Sequence, residues 1–377
     1  MSIAFYTGAR SFEEAWPRLS ERLDRVIDGG QFTNGPEVAR LEQALERYTG
    51  ARHAIAVGNA TDALILLLQA AGIGPGDEVI VPGYSFFATA SCVAHAGATP
   101  VFCDIDPATY AIDPAGIEAR ITERTRAIMP VHLFTQMADM PAILDIARRH
   151  GLQVLEDSAE GIGMFSGGVH AGLHGRGGVL SFFPTKTLGA IGDAGMILTD
   201  DAGLAARARR LRSHGQEAGQ PYIHHEIGWN SRMDDVQAAV IAVRLESLAA
   251  NIARRAHLAA LYDRELAAVP QVSTPVIQAG SEAANAVYYV YLIEADDRDG
   301  LVEHLTARGI GTEVYYPLPL HLQPAFAELG GRPGQLPHAE RAAGRAVGLP
   351  MYPDLTDEEA RLVCRAVQEF YAEVAAR

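Results

Sequence analysis

Short apolar runs alternate with helical patterns from about residue 50 to residue 200. Runs rich in β-branched residues predict strands at residues 53–57, 78–81, 100–104, 127–131, 153–156, 179–183 and 196–199. Apolar positions at helical spacing predict helices at residues 61–71, 89–96 and 140–150. This alternation is typical of βαβ units, so we expect an α/β fold with a mostly parallel central sheet and helices on both faces.

The second half of the chain carries a different pattern. Residues 231–269 have apolar side chains at helical spacing and few helix breakers, which predicts one long helix. Strands are predicted at residues 287–293 and 312–316. Thr356 and Glu359 have the spacing of a capping box, which predicts the start of a terminal helix.

The length of the chain sets the expected number of domains. At 377 residues it exceeds the usual size of a single hydrophobic core. We therefore expect a large ligand-binding domain over residues 1–245, including an N-terminal helical segment, and a small C-terminal α+β domain over residues 246–377.

Composition and charge narrow the class of protein. Hydrophobic residues make up 48% and charged residues 20%, which is typical of a folded globular protein. The net charge of -15 argues against a nucleic-acid partner, since phosphate binding depends on clustered cations. Three cysteines without a C-x-x-C pair argue against a zinc site and a disulfide framework, and favour a reducing compartment.

The sequence does not predict a membrane partner. The segment MSIAFYTGARSFEEAW has no basic region followed by an apolar run, so it does not resemble a signal peptide. The longest apolar stretch, residues 63–71, is too short to cross a bilayer. We expect a cytoplasmic protein.

Lysine occurs once, at Lys186, although the chain has 31 lysine and arginine residues in total. A general drift toward arginine explains the loss of lysines that only solvate a surface. The lysine that remains is a candidate for chemistry that arginine cannot perform, since burial lowers the pKa of an amine toward that of a nucleophile. In SFFPTK it follows two aromatic residues, which we expect to desolvate the ammonium and lower its pKa; the alternative is a solvated lysine.

Two further segments lie where α/β sheets bind ligands. GNATDA links a strand to a helix, so its N–H groups suit a phosphate, or it is an ordinary turn capped by Thr61. VLEDSAE brings acids to the carboxyl end of a strand. Asp157 in this segment suits an ion pair with a pyridinium nitrogen, or it belongs to a solvated strand end.

Two more segments combine aromatic and polar groups. YSFFAT offers an aromatic ring to stack on a planar cofactor, although a Phe pair also packs well in a core. WNSR places an amide and a guanidinium at a helix start, which suits a phosphate or a carboxylate, or simply caps the helix.

Two rival sites fit the sequence poorly. Gly161 and Gly163 begin a glycine-rich stretch, but its third glycine is misplaced for a dinucleotide fingerprint and no helical run follows. His224 and His225 are adjacent, so they face different ways on a regular element, and no acid cluster completes a metal site. We therefore expect neither a nicotinamide cofactor nor a metal.

Seven segments, in this order, resemble the DegT/DnrJ/EryC1/StrS family of sugar aminotransferases. They are GNATDAL, YSFFATASCVAHAGATPVFCDID, VHLFTQMADM, VLEDSAE, SFFPTKTLGAIGDAGMI, GWNSRMDDVQAA and YYPLPLHLQPAF. Together they extend over nearly the whole chain. The resemblance implies an aspartate-aminotransferase type fold (PLP fold type I), pyridoxal 5′-phosphate (PLP) as the cofactor, and a homodimer with each active site at the subunit boundary.

The resemblance also implies roles around the cofactor ring. Lys186 matches the lysine that forms the Schiff base with PLP, and Asp157 matches the partner of the pyridine nitrogen. Phe86 matches the aromatic residue stacked on the ring. Glu160 stands where many members carry Gln or His near the ring hydroxyl, and some members that act on nucleotide sugars carry Glu there.

Other residues are implied for the phosphate and for the substrates. The phosphate residues are Ala60, Thr61, Ser181 and, from the neighbouring subunit, Asn230. Arg232 is the candidate for the carboxylate of the amino donor. The candidates for the substrate pocket are Thr33, Tyr316 and His321.

The implied reaction moves an amino group from L-glutamate to a keto group, at C-3 or C-4, of a nucleotide-linked deoxysugar, in the biosynthesis of an antibiotic or a surface glycan. The NSR segment is more similar to members that act at C-3. A PLP-dependent sugar dehydratase and a non-catalytic PLP-binding regulator are the alternatives. Relatives that dehydrate sugars replace the lysine with histidine, so Lys186 favours the aminotransferase.

Overall fold

The computed structural model describes residues 2–217, 219–278 and 285–375. Strands and helices alternate in its first part, as the hydrophobic pattern predicts. In order they are α1 (Ala9–Gly29), α2 (Pro36–Thr49), β1 (His53–Val57), α3 (Ala60–Ala70), β2 (Glu78–Pro82), α4 (Ala88–His95), β3 (Thr99–Cys103), α5 (Pro114–Ile117), β4 (Thr125–Ile128), α6 (Met140–His150), β5 (Gln153–Asp157), β6 (Phe165–Ser166), β7 (Val169–His170), β8 (Gly177–Ser181), β9 (Gly195–Thr199) and α7 (Ala202–Leu211).

The second part is mostly helical, with a few short strands. Its elements are α8 (Asp235–Leu245), α9 (Leu248–Leu266), β10 (Val272–Ser273), β11 (Tyr291–Ala295), α10 (Arg298–Ala307), α11 (Pro337–Arg345), β12 (Ala346–Leu349) and α12 (Asp357–Ala375). Short 3-10 helices are Glu118–Arg120, Leu320–Leu322 and Pro324–Leu329.

The central sheet has seven strands in the order β1-β9-β8-β5-β4-β2-β3. The five strands from β8 to β3 are parallel, whereas β9 runs antiparallel to both β1 and β8. Helices α3, α4 and α7 contribute to the core on one face, and α2 and α8 to the core on the other. The prediction of a mostly parallel sheet covered on both faces is confirmed.

A second, antiparallel sheet has three strands in the order β10-β11-β12. Its core packs side chains of α9, α10 and α12, such as Tyr262, Leu301 and Val367, and also takes Ile3 from the start of the chain. This separate core agrees with a small C-terminal unit. The division at residues 1–245 and 246–377 stays a prediction.

The single helix predicted over residues 231–269 is wrong, because the chain forms α8 and α9, bent by 62°. The two helices bury their apolar faces in different cores: Ala238 and Ile241 of α8 pack beside the large sheet, and Leu258 and Tyr262 of α9 pack beside the small sheet. An apolar pattern that continues through the junction at Ser247 does not reveal this change of direction.

The strands predicted at residues 287–293 and 312–316 are also corrected. The first begins only at Tyr291. Residues 312–316, all within the described part of the chain, form no strand, and only an isolated bridge joins Glu313 to Gly348. The rings of Tyr315 and Tyr316 instead pack on Phe134, so their aromatic character reflects this packing rather than a strand.

The capping box at the start of α12 is confirmed. The N–H and Oγ1 of Thr356 donate to Glu359 Oε2, and the N–H of Glu359 donates back to Thr356 Oγ1. Within residues 2–217, 219–278 and 285–375, no single helix combines the length and apolar character needed to cross a membrane, and only α8 and α9 taken together across their bend meet both criteria.

Candidate active site

Asp157 ends β5, the middle strand of the sheet, at the carboxyl edge where parallel sheets bind ligands. Its side chain is buried, and it accepts hydrogen bonds from Thr89 Oγ1 (2.8 Å) and from the N–H of Ala159 (3.2 Å). Burial raises the pKa of Asp157, although the Thr89 and Ala159 hydrogen bonds and the charge of Lys186 act in the opposite direction. A cation placed against this carboxylate would stabilise its charged form.

Lys186 lies in the loop after β8, the neighbour of β5 in the sheet. The loop is closed by a hydrogen bond from the N–H of Lys186 to the carbonyl of Phe183 (2.8 Å). Lys186 Nζ lies 2.9 Å from Glu160 Oε1, and the other oxygen of Glu160 accepts the N–H of Phe134 (2.6 Å). The amine also lies 4.2 Å from the ring centroid of Tyr289. The single lysine therefore points into a mostly buried, acidic and aromatic pocket.

The expectation that the surroundings lower the pKa of Lys186 is wrong. Burial on its own lowers this pKa, but the charge of Glu160, the contact with Tyr289 and the hydrogen bond to Glu160 raise it above its usual range. Burial was foreseen, but its effect is outweighed by Glu160, located 26 residues earlier in the chain, together with Tyr289 and Asp157. In the absence of a ligand the amine is an ammonium ion.

Three of the predicted phosphate residues meet at the same end of the sheet. Asn59 caps α3 by accepting the N–H of Asp62 (2.8 Å), which leaves the N–H groups of Ala60 and Thr61 as first-turn donors without an intrahelical acceptor. Ser181 is paired with Gly195 across the sheet, and Gly195 is paired with Val57, the last residue of β1.

The close approach of β9 to this turn requires a glycine. A Cβ at Gly195 would lie 2.5 Å from the carbonyl carbon of Asn59. The first turn of α3 and the end of β8 are thus held close together, in an arrangement suited to a phosphate.

A chain of aromatic side chains leads to Glu160. Phe86, between β2 and α4, is 58% exposed, and its ring centroid lies 6.2 Å from that of Tyr316. The Tyr316 ring stacks on Phe134 at 6.1 Å, the same residue whose N–H binds Glu160. An exposed aromatic face at the mouth of a polar pocket is suited to a planar ligand.

Thr33, Asn230 and Arg232 form a separate, exposed group. Thr33 Oγ1 donates to Asp234 (3.0 Å), and Arg232 Nη2 donates to Asn230 Oδ1 (2.6 Å). These hydrogen bonds join Thr33 to Asp234 and Arg232 to Asn230, and neither of them involves Lys186.

His321 is buried in the 3-10 helix Leu320–Leu322. Its Nε2 lies 3.1 Å from Glu340 Oε1, and its Nδ1 has no hydrogen-bond partner among the described residues. The contacts of the described side chains place it beside Glu340 and do not bring it to Lys186.

Sequence reasoning missed two residues that touch the central pair. Thr89 binds Asp157, and Tyr289 faces Lys186. Thr89 closes the YSFFAT segment, one helical turn after Phe86, and this spacing was an available signal. Tyr289 follows Lys186 by more than a hundred residues, so no local pattern reveals the contact.

A buried His–Glu pair stabilises the end of β5. Glu156 accepts the N–H groups of Gly172 (2.7 Å) and Gly175 (2.6 Å) and lies 2.8 Å from His132 Nε2. His132 Nδ1 accepts the N–H of Ala138 (3.2 Å), so its proton resides on Nε2 and is donated to Glu156. This network fixes the strand end that carries Asp157.

The comparisons with known proteins identify the chain. Residues 17–368 match the DegT/DnrJ/EryC1/StrS aminotransferase family. A pleiotropic regulatory protein of Geobacillus stearothermophilus is 47% identical over 98% of this chain and 99% of its own length. The UDP-2-acetamido-2-deoxy-3-oxo-D-glucuronate aminotransferase of Pseudomonas aeruginosa is 41% identical over 93% of this chain and 96% of its own.

A solved structure agrees with the fold. The crystal structure of S. venezuelae DesV superposes with a TM-score of 0.94 at 39% identity, and the match covers 98% of each chain. The likeness therefore extends over nearly the whole of both chains.

Aminotransferases of this family depend on PLP. Three observations fit that cofactor: a buried carboxylate for the ring nitrogen, a mostly buried amine for the aldehyde, and a helix N-terminus for the phosphate. From the profile match, the identity to curated relatives and the shared fold, we conclude that the chain belongs to the DegT/DnrJ/EryC1/StrS family of PLP-dependent aminotransferases.

Proposed function

We propose that the enzyme moves the amino group of L-glutamate to the C-3 keto group of a nucleotide-linked deoxysugar. The observation that carries the proposal is the single lysine, whose Nζ lies 2.9 Å from Glu160 at the sheet edge that also presents Asp157. The name of the P. aeruginosa relative specifies a 3-oxo nucleotide sugar, which supports C-3 rather than C-4.

The cofactor residues are proposed from their positions at this edge. The buried Asp157 would face the ring nitrogen, and the exposed ring of Phe86 would cover the cofactor ring. The phosphate would be bound by Ala60, Thr61 and Ser181. When bound, PLP supplies an electron sink for the negative charge that develops on the amino donor.

Lys186 is the proposed proton carrier. Its Nζ is charged in the free site, so it must give up a proton before it can act as a base. Glu160 Oε1, at 2.9 Å, is the acceptor placed to take part in that exchange. Asp157 remains ionised when a protonated nitrogen faces it, and its charge holds that proton in place.

The substrates are proposed to bind on both sides of this centre. Tyr316, packed between Phe134 and Phe86, forms the wall nearest the sugar. Arg232 is exposed and, among the described residues, hydrogen-bonds to the amide oxygen of Asn230, so its guanidinium has room to bind the carboxylate of L-glutamate. Thr33 and His321 remain candidates for the sugar pocket.

A homodimer is proposed because the substrate group is exposed in the single chain. Large apolar side chains flank it, with Phe32 54% exposed and Ile227 96% exposed. Such side chains beside Thr33 and Asn230 favour a surface that a second copy covers. In that dimer Asn230 of the partner subunit would reach the phosphate.

The proposed compartment is the cytoplasm. Cys92, Cys103 and Cys364 are all buried and unpaired. Free thiols of this kind are typical of a reducing environment, where nucleotide sugars are also made and used.

The test uses L-glutamate and a matched panel of 3-keto and 4-keto nucleotide sugars. We expect mass spectrometry to detect 2-oxoglutarate and an amino sugar from the 3-keto members. Lys186→Arg is the control, since it keeps the positive charge without a nucleophilic amine and should be inactive.

Other outcomes would overturn parts of the proposal. Amination restricted to 4-keto sugars contradicts the C-3 assignment. Loss of water without consumption of glutamate indicates a dehydratase. Retention of PLP without turnover on any sugar indicates a regulatory protein, the role that the name of the G. stearothermophilus relative describes for that protein.

A further inference from the structure

Tyr289 is held with its ring face toward the reacting amine. It precedes β11 and is 8% exposed. Lys186 Nζ lies 4.2 Å from the ring centroid, and the Tyr289 hydroxyl lies 3.0 Å from Thr185 Oγ1, in the residue next to the lysine. An ammonium ion at this distance from an aromatic face is attracted by the negative potential of the ring.

Glu160 also contacts the amine, and Phe134 positions both Glu160 and Tyr289. The N–H of Phe134 donates to Glu160 Oε2 (2.6 Å), while its carbonyl accepts the N–H of Tyr289 (2.8 Å). Phe134 has φ of 61°, in the left-handed region that residues with a Cβ rarely adopt. Backbone strain at functional sites costs roughly 1–3 kcal/mol and persists where the surroundings enforce it.

Arg255 holds the backbone of Tyr288 and Tyr289 in place. It is 1% exposed, and its Nη1 donates to the carbonyls of Tyr288 (3.1 Å), Tyr289 (3.0 Å) and Met351 (2.8 Å). Burial lowers the pKa of Arg255 to about 10, so it remains charged at neutral pH. Tyr289 is therefore fixed through its N–H, its carbonyl and its hydroxyl.

We propose that Tyr289 is a further catalytic residue, whose ring face and the Glu160 carboxylate hold the Lys186 ammonium between them during proton transfer. The inference rests on the proposal that Lys186 is the reacting amine. With its lone pair, Nζ would accept the proton of the α-carbon of the amino donor, and a bound cofactor would supply the sink for the electrons of the broken C–H bond. The ammonium then returns that proton. Stabilising the protonated base favours its formation.

The single lysine permits a direct test. Full-length protein labelled with [ε-13C]lysine and freed of cofactor gives one lysine ε-carbon signal, whose movement with alkaline pH reports the ionisation of Lys186 alone. The titratable groups that face this amine are Glu160, Tyr289 and Asp157. Tyr289→Leu removes the ring face, and Tyr289→Phe is the matched control that keeps it.

We expect the signal of Tyr289→Leu to begin moving about one pH unit lower than that of the wild type or Tyr289→Phe. Coincident titrations of wild type and Tyr289→Leu would overturn the proposal. A Phe variant that titrates like the Leu variant would also overturn it, because the hydroxyl bonded to Thr185 would then be the active group.

A second readout uses the half-reaction with L-glutamate. If the ring stabilises the ammonium, Tyr289→Leu slows proton removal at least several-fold and increases the deuterium isotope effect from the α-carbon, while Tyr289→Phe changes neither. An unchanged isotope effect in Tyr289→Leu contradicts the role. Neither measurement uses a sugar, so a wrong sugar assignment leaves the outcome unaffected.

Discussion

Thr89 lowers the pKa of Asp157 through a hydrogen bond. Its hydroxyl donates to Asp157 Oδ2 and lies 2.8 Å from Ser85 Oγ. This hydrogen bond lowers the pKa of Asp157 against the effect of burial, which raises it. Removing it should raise the pKa further, so a lower fraction of Asp157 is ionised at mildly acidic pH.

We therefore expect Thr89→Val to move the acid limb of the pH–rate profile upward by about one pH unit, with less change above neutrality. Thr49→Val is the control, because Thr49 is also buried but donates to the carbonyl of Leu45 in α2. An acid limb that stays in place in Thr89→Val, or that moves equally in Thr49→Val, would show that the hydroxyl does not act on Asp157.

Residue identity alone led to the proposal of Lys186 as the reacting amine and Asp157 as the ring acid, but it gave the wrong direction for the pKa shift of Lys186. The aromatic residues of SFFPTK were visible in the sequence, and burial does lower the pKa of Lys186. Glu160, Tyr289 and Asp157 together outweigh burial, and the position of Glu160 depends on the N–H of Phe134. The direction of the pKa shift of Lys186 therefore depends on contacts between residues that are far apart in the sequence.

At the scale of elements, short strands and capped helices were predictable because their signals are local. The capping box of Thr356 and Glu359 and the strand ends at Val57 and Thr199 follow from neighbouring residues. The bend near Ser247 was not predictable, since apolar side chains at helical spacing continue through it, and only the fold shows that most of those in α9 join the core of the small sheet.

Glu156 is predicted to stabilise the end of β5 in a pH-dependent way. Burial raises the pKa of Glu156, but the hydrogen bond from His132 and those from the N–H groups of Gly175 and Gly172 lower it below its usual value. Its contribution to stability is therefore present above the unfolded pKa, about 4.3, and is lost as pH falls through the lower folded pKa.

Glu156→Gln places an NH2 group against a backbone N–H donor and should lower the free energy of unfolding by roughly 2 kcal/mol at neutral pH. The difference should shrink as the pH falls below about 4 in urea denaturation series. Glu118→Gln is the control at an exposed pair with Arg149 and should have little effect. A Glu156→Gln deficit that is the same at all pH values would contradict an ionised Glu156.

At the scale of the whole molecule, the residues proposed to hold the cofactor ring were easier to predict than the residues proposed to bind the substrates. Asp157 ends β5 and Lys186 follows β8, its neighbour in the sheet, so strand order brings the two residues together. Asn230 and Arg232 are exposed in the single chain, and their proposed role depends on a second copy. A single chain does not contain that information.

The proposed dimer predicts complementation between inactive variants. Lys186→Ala and Asn230→Ala homodimers should each have greatly reduced activity. Mixed dimers should regain activity, because one site then combines Lys186 from one subunit with Asn230 of the partner subunit. Mixtures that stay as inactive as their components after subunit exchange would place Asn230 outside the partner's site, and self-mixed Lys186→Ala is the control.

The central claim is that Lys186 is the amine that binds PLP. Borohydride reduction of the PLP-loaded enzyme, followed by peptide mass spectrometry, tests it directly, since the chain has one lysine and its other primary amine is the N-terminus. We predict a reduced PLP adduct on the peptide that contains Lys186, and none on the corresponding peptide of Lys186→Arg. An enzyme that aminates sugars while Lys186 remains unmodified under the same reduction would contradict the account.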